Sequence, residues 1–159
     1  MLKKVSGTAL IALASVVIMT ASAQQDEPTP QELAAAATET RQAVFKLLAF
    51  NMGPIGGMAR GAEFNAELAE RNARRIAALA PMIPELFAAN DTRQFSVETE
   101  ALPVIWDNIT DFQQKAMDLE AAANTFAEVA SGGDRNQTIG AIRAFGATCG
   151  NCHREYRVD

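Results

Sequence analysis

Two cysteines and a histidine stand together near the C-terminus, Cys149-Gly150-Asn151-Cys152-His153, and they are the only cysteines and the only histidine in the 159 residues. On a helix, positions three apart share a face, so both thiols can add to the two vinyl groups along one edge of a porphyrin. His153, four residues past Cys149, can then turn its imidazole under the ring and bind iron as the proximal ligand. Two other chemistries use such residues. A CxxC pair can be a redox disulfide, although that motif normally opens a helix in a βαβ setting. A zinc site takes about four protein or water ligands, and only three Cys or His exist here. Covalent haem uses all three; disulfide and zinc chemistry stay open on these residues alone.

The elements that must carry this motif read as helices. A first helix is expected from near Gln31, with Ala37, Val44, Leu48 and Ile55 at 4/3 spacing and Arg41 and Asn51 between them. Pro54, beside Gly53, Gly56 and Gly57, is expected to kink or end it between Met52 and Gly57. Phe64, Leu68, Ile76 and Leu79 mark a second helix with Asn65 as N-cap and Asn72 interrupting its stripe, limited by Pro81 and Pro84. Residues 88–102 show no period and read as the longest loop. Pro103 suits the first turn of a third helix. Its seam, Ile105, Ile109, Phe112, Ala116, Leu119, Ala123, Phe126 and Ala130, repeats at 3.5 residues, with Trp106 alongside. Ser131-Gly132-Gly133 ends it, and Asp134 with Gln137 caps a fourth helix that bears Ile139, Ile142, Phe145, Cys149 and Cys152. Four helices without an alternating strand pattern specify an all-α, antiparallel four-helix bundle.

The N-terminus reads as an export signal. Lys3 and Lys4 precede an apolar run from Ala9 to Met19, and Ala21-Ser22-Ala23 is a small-residue cleavage site. Cleavage after Ala23 leaves one domain, residues 24–159, opening on a loose arm from Gln24 to Pro30. The uncharged stretch from Val5 to Thr20 is short for a membrane span. Because Lys3 and Lys4 leave with the signal, the formal charge moves from −5 to −7. An acidic chain without clustered Lys and Arg excludes nucleic acid as a partner. Haem thioethers would also consume both thiols of an exported protein.

With the motif on the last helix of an exported four-helix chain, the sequence resembles the cytochrome c′ family, the class II c-type cytochromes. Arg41-Gln42, Phe45-Lys46 and Gly53 to Gly61 are similar in order and spacing to that family's first helix and turn. Trp106 with Asp111-Phe112-Gln113 resembles its third helix, and Tyr156-Arg157 its ending. The resemblance implies haem c, one per chain, held by Cys149 and Cys152 with iron on His153. It implies that Arg41 and Gln42 lie near the haem propionates and Arg157 near the proximal side. Phe45 falls where low-spin members carry a ligating methionine and high-spin members an apolar side chain, which implies five-coordinate iron. Met52 is the rival ligand, seven residues on, and Met58, Met82 and Met117 are expected to fill the core. The functions implied are periplasmic electron transfer, binding of small gases such as nitric oxide or carbon monoxide, or both, with a redox partner protein. A pure electron carrier with a methionine sixth ligand is the alternative. An enzyme is not expected, since the one histidine is spent on iron. A homodimer through the first helices is implied as well.

Overall fold

The computed structural model describes residues 27–158. The proposed signal and its cleavage site after Ala23 lie outside them. Six helical segments follow in order: α1 Pro30–Ala59, α2 Ala66–Leu79, α3 Met82–Ala88, α4 Val104–Asp107, α5 Ile109–Ser131 and α6 Arg135–Tyr156. The long segments α1, α2, α5 and α6 make the expected four-helix bundle, with α3 and α4 as short additions.

Local chemistry fixes the ends. Thr29 and Glu32 form a reciprocal capping box at the start of α1, where Pro30 takes the first helical position. At its other end Ala62 N–H donates to the Gly57 carbonyl (3.0 Å) and Gly61 N–H to that of Met58 (3.2 Å). That double closure needs a left-handed residue, which Gly61 supplies with φ +99°. Of the two outcomes expected at Pro54, a kink or an end, the second does not occur: α1 runs through it to Ala59. The proline sits on the exposed face, so the Phe50 carbonyl that loses its bond is left on the side that water reaches. Asn65 and Asp134 cap α2 and α6 as expected, each accepting from the backbone N–H three residues on at 2.8 Å.

Two further expectations need correction. Pro81 and Pro84 start a helix instead of only stopping one: they occupy the N-cap and first turn of α3, where no intrahelical donor is needed, and Ile83 and Phe87 enter the core. The third helix is broken at Asn108 (φ −122°, ψ 38°). The break lets α4 bury Ile105 while the Trp106 indole donates to the Phe87 carbonyl at 3.1 Å.

The seam of α5 faces the core, and Phe87, Phe112, Phe126 and Phe145 are fully buried. Asn72, which interrupts the stripe of α2, is buried too and donates to the Asn51 carbonyl of α1 at 3.2 Å. Met58 is core, but Met82 and Met117 are exposed (42% and 58%) and fill nothing. The bundle closes most tightly where α5 meets α2 and α6, and most loosely between α1 and α6.

Candidate functional site

The loose seam between α1 and α6 is a cavity. The helical period puts Cys149 and Cys152 one turn apart on the face of α6 that begins with buried Phe145, and His153 follows. From α1, Arg41, Gln42, Phe45 and Met52 line the opposite side. Phe112, Ala116 and Leu119 of α5 form its apolar back, and residues 98–101 of the long loop its rim. All seven expected site residues, Arg41, Gln42, Phe45, Cys149, Cys152, His153 and Arg157, border this one space of about 1030 Å³.

Burial raises the Cys149 thiol above its ordinary range and pushes that of Cys152 up to about 11. Raised thiols of this kind are poor partners for rapid disulfide exchange. Among the described residues no three His, Cys, Asp or Glu side chains converge on a metal position. Desolvation against the cavity wall, and second the charge of Arg157, lower the His153 pKa. The imidazole is thus kept neutral, the form that binds metal.

Arg41 borders the cavity with most of its guanidinium already engaged by protein groups. It is 4% exposed, and its Nε and Nη2 both donate to the Leu86 carbonyl at 3.1 Å. Nη2 also donates to the Asn90 carbonyl, and Nη1 to Thr92 Oγ1 at 3.0 Å. Of its five N–H groups, only one on Nη1 stays free for a propionate. The same guanidinium stacks 4.6 Å over the Phe87 ring and 5.4 Å from that of Trp106. Gln42 donates to the Glu98 carbonyl at 2.8 Å, and Gln31 to that of Ser96 at 2.9 Å. Three side chains of α1 thereby pin the loop that rims the cavity.

The C-terminus pins its other end. Arg157 lies 3.5 Å from Glu100, Ala101 and Arg157 pair as an isolated bridge, and Leu102 N–H donates to the Tyr156 carbonyl at 2.9 Å. Sequence reasoning missed this rim, because residues 88–102 have no period and the ties that hold them against α1 and the C-terminus are to partners distant in the chain. It also missed the Tyr156 hydroxyl, which donates to Asp111 Oδ2 at 2.6 Å.

The cavity fits a haem joined through Cys149 and Cys152. Its volume is at the upper end of the roughly 300–1,000 Å³ typical of ligand sites, its walls are apolar, and two unpaired thiols stand side by side in one wall.

Comparison with known proteins agrees. The sequence model of cytochrome c′ matches residues 36–157. Cytochrome c-554 of Cereibacter sphaeroides is 40% identical over 121 residues, covering 75% of this chain and 90% of that protein. The crystal structure of cytochrome c′ from Thermochromatium tepidum superposes with a TM-score of 0.70 at 35% identity, over 79% of this chain and 97% of that one. A cytochrome c′ described by its ligand-controlled dimer dissociation gives 0.68 at 32% identity, over 79% and 97%. With the haem motif in the wall of a bundle cavity and the match running along nearly all the described residues, this chain belongs to the cytochrome c′ family and carries haem c covalently through Cys149 and Cys152.

Proposed function

We infer that the protein is a periplasmic haem protein with iron held by His153 and its other face turned to Phe45, so that a small diatomic such as nitric oxide or carbon monoxide can bind. The haem supplies a one-electron couple and, at an open axial position, a site for such a gas. The observation that carries the reading is Phe45. It stands on α1, across the cavity from the α6 wall that bears His153, and a phenyl ring has no lone pair to offer.

Met52 also borders the cavity and would make a six-coordinate electron carrier. Its Cε, however, reaches α6 at Gly146, 3.8 Å from where a β-carbon there would stand. That level is seven residues, about 10 Å of helix, before His153, which supports Phe45 as the residue over iron. Neither reading needs turnover chemistry, since the chain's one histidine is committed to iron.

Export rests on Lys3, Lys4 and Ala21-Ser22-Ala23. A homodimer is supported by the outer face of α1, where Leu33, Leu47 and Phe50 are 52%, 49% and 70% exposed with Ala36, Ala43 and Pro54 along the same stripe. The partner is a second copy, because a helix stripe of this length fits its own mate in antiparallel packing, and a similar cytochrome c′ is described as a dimer that ligand dissociates.

The test is the absorption spectrum of the purified ferric and ferrous protein. Five-coordinate, high-spin bands are expected. A sharp low-spin α/β pair without added ligand would sink this reading and make Met52 the residue to mutate.

A further inference from the structure

The chain holds one tyrosine and one tryptophan, the side chains most easily oxidised after cysteine, and one aromatic cluster contains both. The Tyr156 ring meets Phe112 edge-on with centroids 5.2 Å apart, Phe112 lies 4.8 Å from Phe87, and Phe87 lies 5.6 Å from Trp106. Tyr156 is buried (5%) and borders the haem cavity one turn beyond Cys152. What sets it apart is its proton. The phenol donates to Asp111 Oδ2 at 2.6 Å, and Lys115 Nζ stands 3.5 Å from the same oxygen and 3.2 Å from Glu155.

Trp106 is placed the opposite way. Its indole N–H goes to the Phe87 carbonyl, which can accept a hydrogen bond but cannot take a proton. Two guanidiniums, Arg41 at 5.4 Å and Arg93 at 5.9 Å, lie over its ring, and their charge opposes a radical cation there.

We propose that Tyr156 is a redox-active site, the residue that gives up an electron when the haem meets a peroxide, with Asp111 as acceptor of its proton. This rests on the haem reading above. Reduction of hydrogen peroxide to two waters breaks the O–O bond and takes two electrons and two protons. Tyr156 supplies one electron, the second is drawn from the haem, and the protons come from solvent. The Tyr156 O–H bond breaks, its proton passes to Asp111 Oδ2, and a neutral tyrosyl radical remains. An oxidised phenol is a strong acid, so a carboxylate already hydrogen-bonded to it suffices as base. The bond from Tyr156, and next the charge of Lys115, hold the Asp111 pKa below the ordinary carboxylate value, so that base is ionised at neutral pH.

The test uses the full haem-loaded protein, its covalent haem confirmed from the absorption spectrum before hydrogen peroxide is added. Rapidly frozen samples are read by electron paramagnetic resonance, and the peptides afterwards by mass spectrometry. The expected results are a tyrosyl radical in the unmutated protein, its loss in Tyr156→Phe, its survival in Trp106→Phe, and slower formation in Asp111→Asn, whose amide takes no proton. Oxidative mass additions on the peptide bearing Tyr156 are expected in the unmutated protein, a readout that needs no variant. A protein without covalent haem would overturn both readings. A haem-loaded protein overturns this one alone if it forms no tyrosyl radical, gives the same resonance signal in Tyr156→Phe, loses it in Trp106→Phe, or forms it at an unchanged rate in Asp111→Asn.

Discussion

Phe45 is 37% exposed and meets Phe87 edge-on, 6.3 Å between centroids. A diatomic that enters on its side must push the ring toward that neighbour. Forced repacking of this kind costs about 1 to 3 kcal/mol, equivalent to roughly a 5- to 150-fold loss of affinity. Phe45→Ala is therefore expected to tighten carbon monoxide binding by a factor in that range, read by titration of the ferrous protein. Unchanged affinity would show that the ring does not guard the site. Phe45→Met is expected to give six-coordinate, low-spin iron.

At the scale of the element, α1 does two jobs with one side of a long helix. Its cavity side presents Phe45 and Met52, and its polar side chains Gln31, Arg41 and Gln42 hold the loop that rims the cavity. Arg41→Lys is expected to fail as a substitute, because an ammonium cannot span the Leu86 and Asn90 carbonyls and Thr92 at once. Leaving part-buried carbonyls unpaired should cost about 1 to 3 kcal/mol in urea unfolding of the holoprotein, with faster proteolysis between residues 89 and 101. If only haem spectra change while the loop stays protected, Arg41 acts on the propionates after all.

For the whole molecule, the exposed stripe on α1 is the face proposed for the homodimer. Phe50 is its most exposed large apolar side chain and faces away from the cavity, so Phe50→Asp should leave the haem spectrum intact and convert dimer to monomer in sedimentation velocity. A variant that still sediments as a dimer would place the interface elsewhere.

The cysteine pair with the histidine pointed to covalent haem, and the 3.5-residue seam of α5 with the other apolar stripes pointed to a helical bundle, because each is a local spacing on one helix and survives being read one segment at a time. The caps Asn65 and Asp134 were legible for the same reason. Pro54 and the proline pair at α3 were not: whether a missing N–H breaks a helix depends on whether its partner carbonyl faces water, and only the packed bundle fixes that. That Arg41 lies near the haem propionates was implied by the family resemblance alone, and the protein groups it bonds were not legible in the sequence. Which protein groups it bonds was decided by a loop some fifty residues away, which is held by its bonds to α1 and to the C-terminus and by local ones such as Arg93 to Asp91.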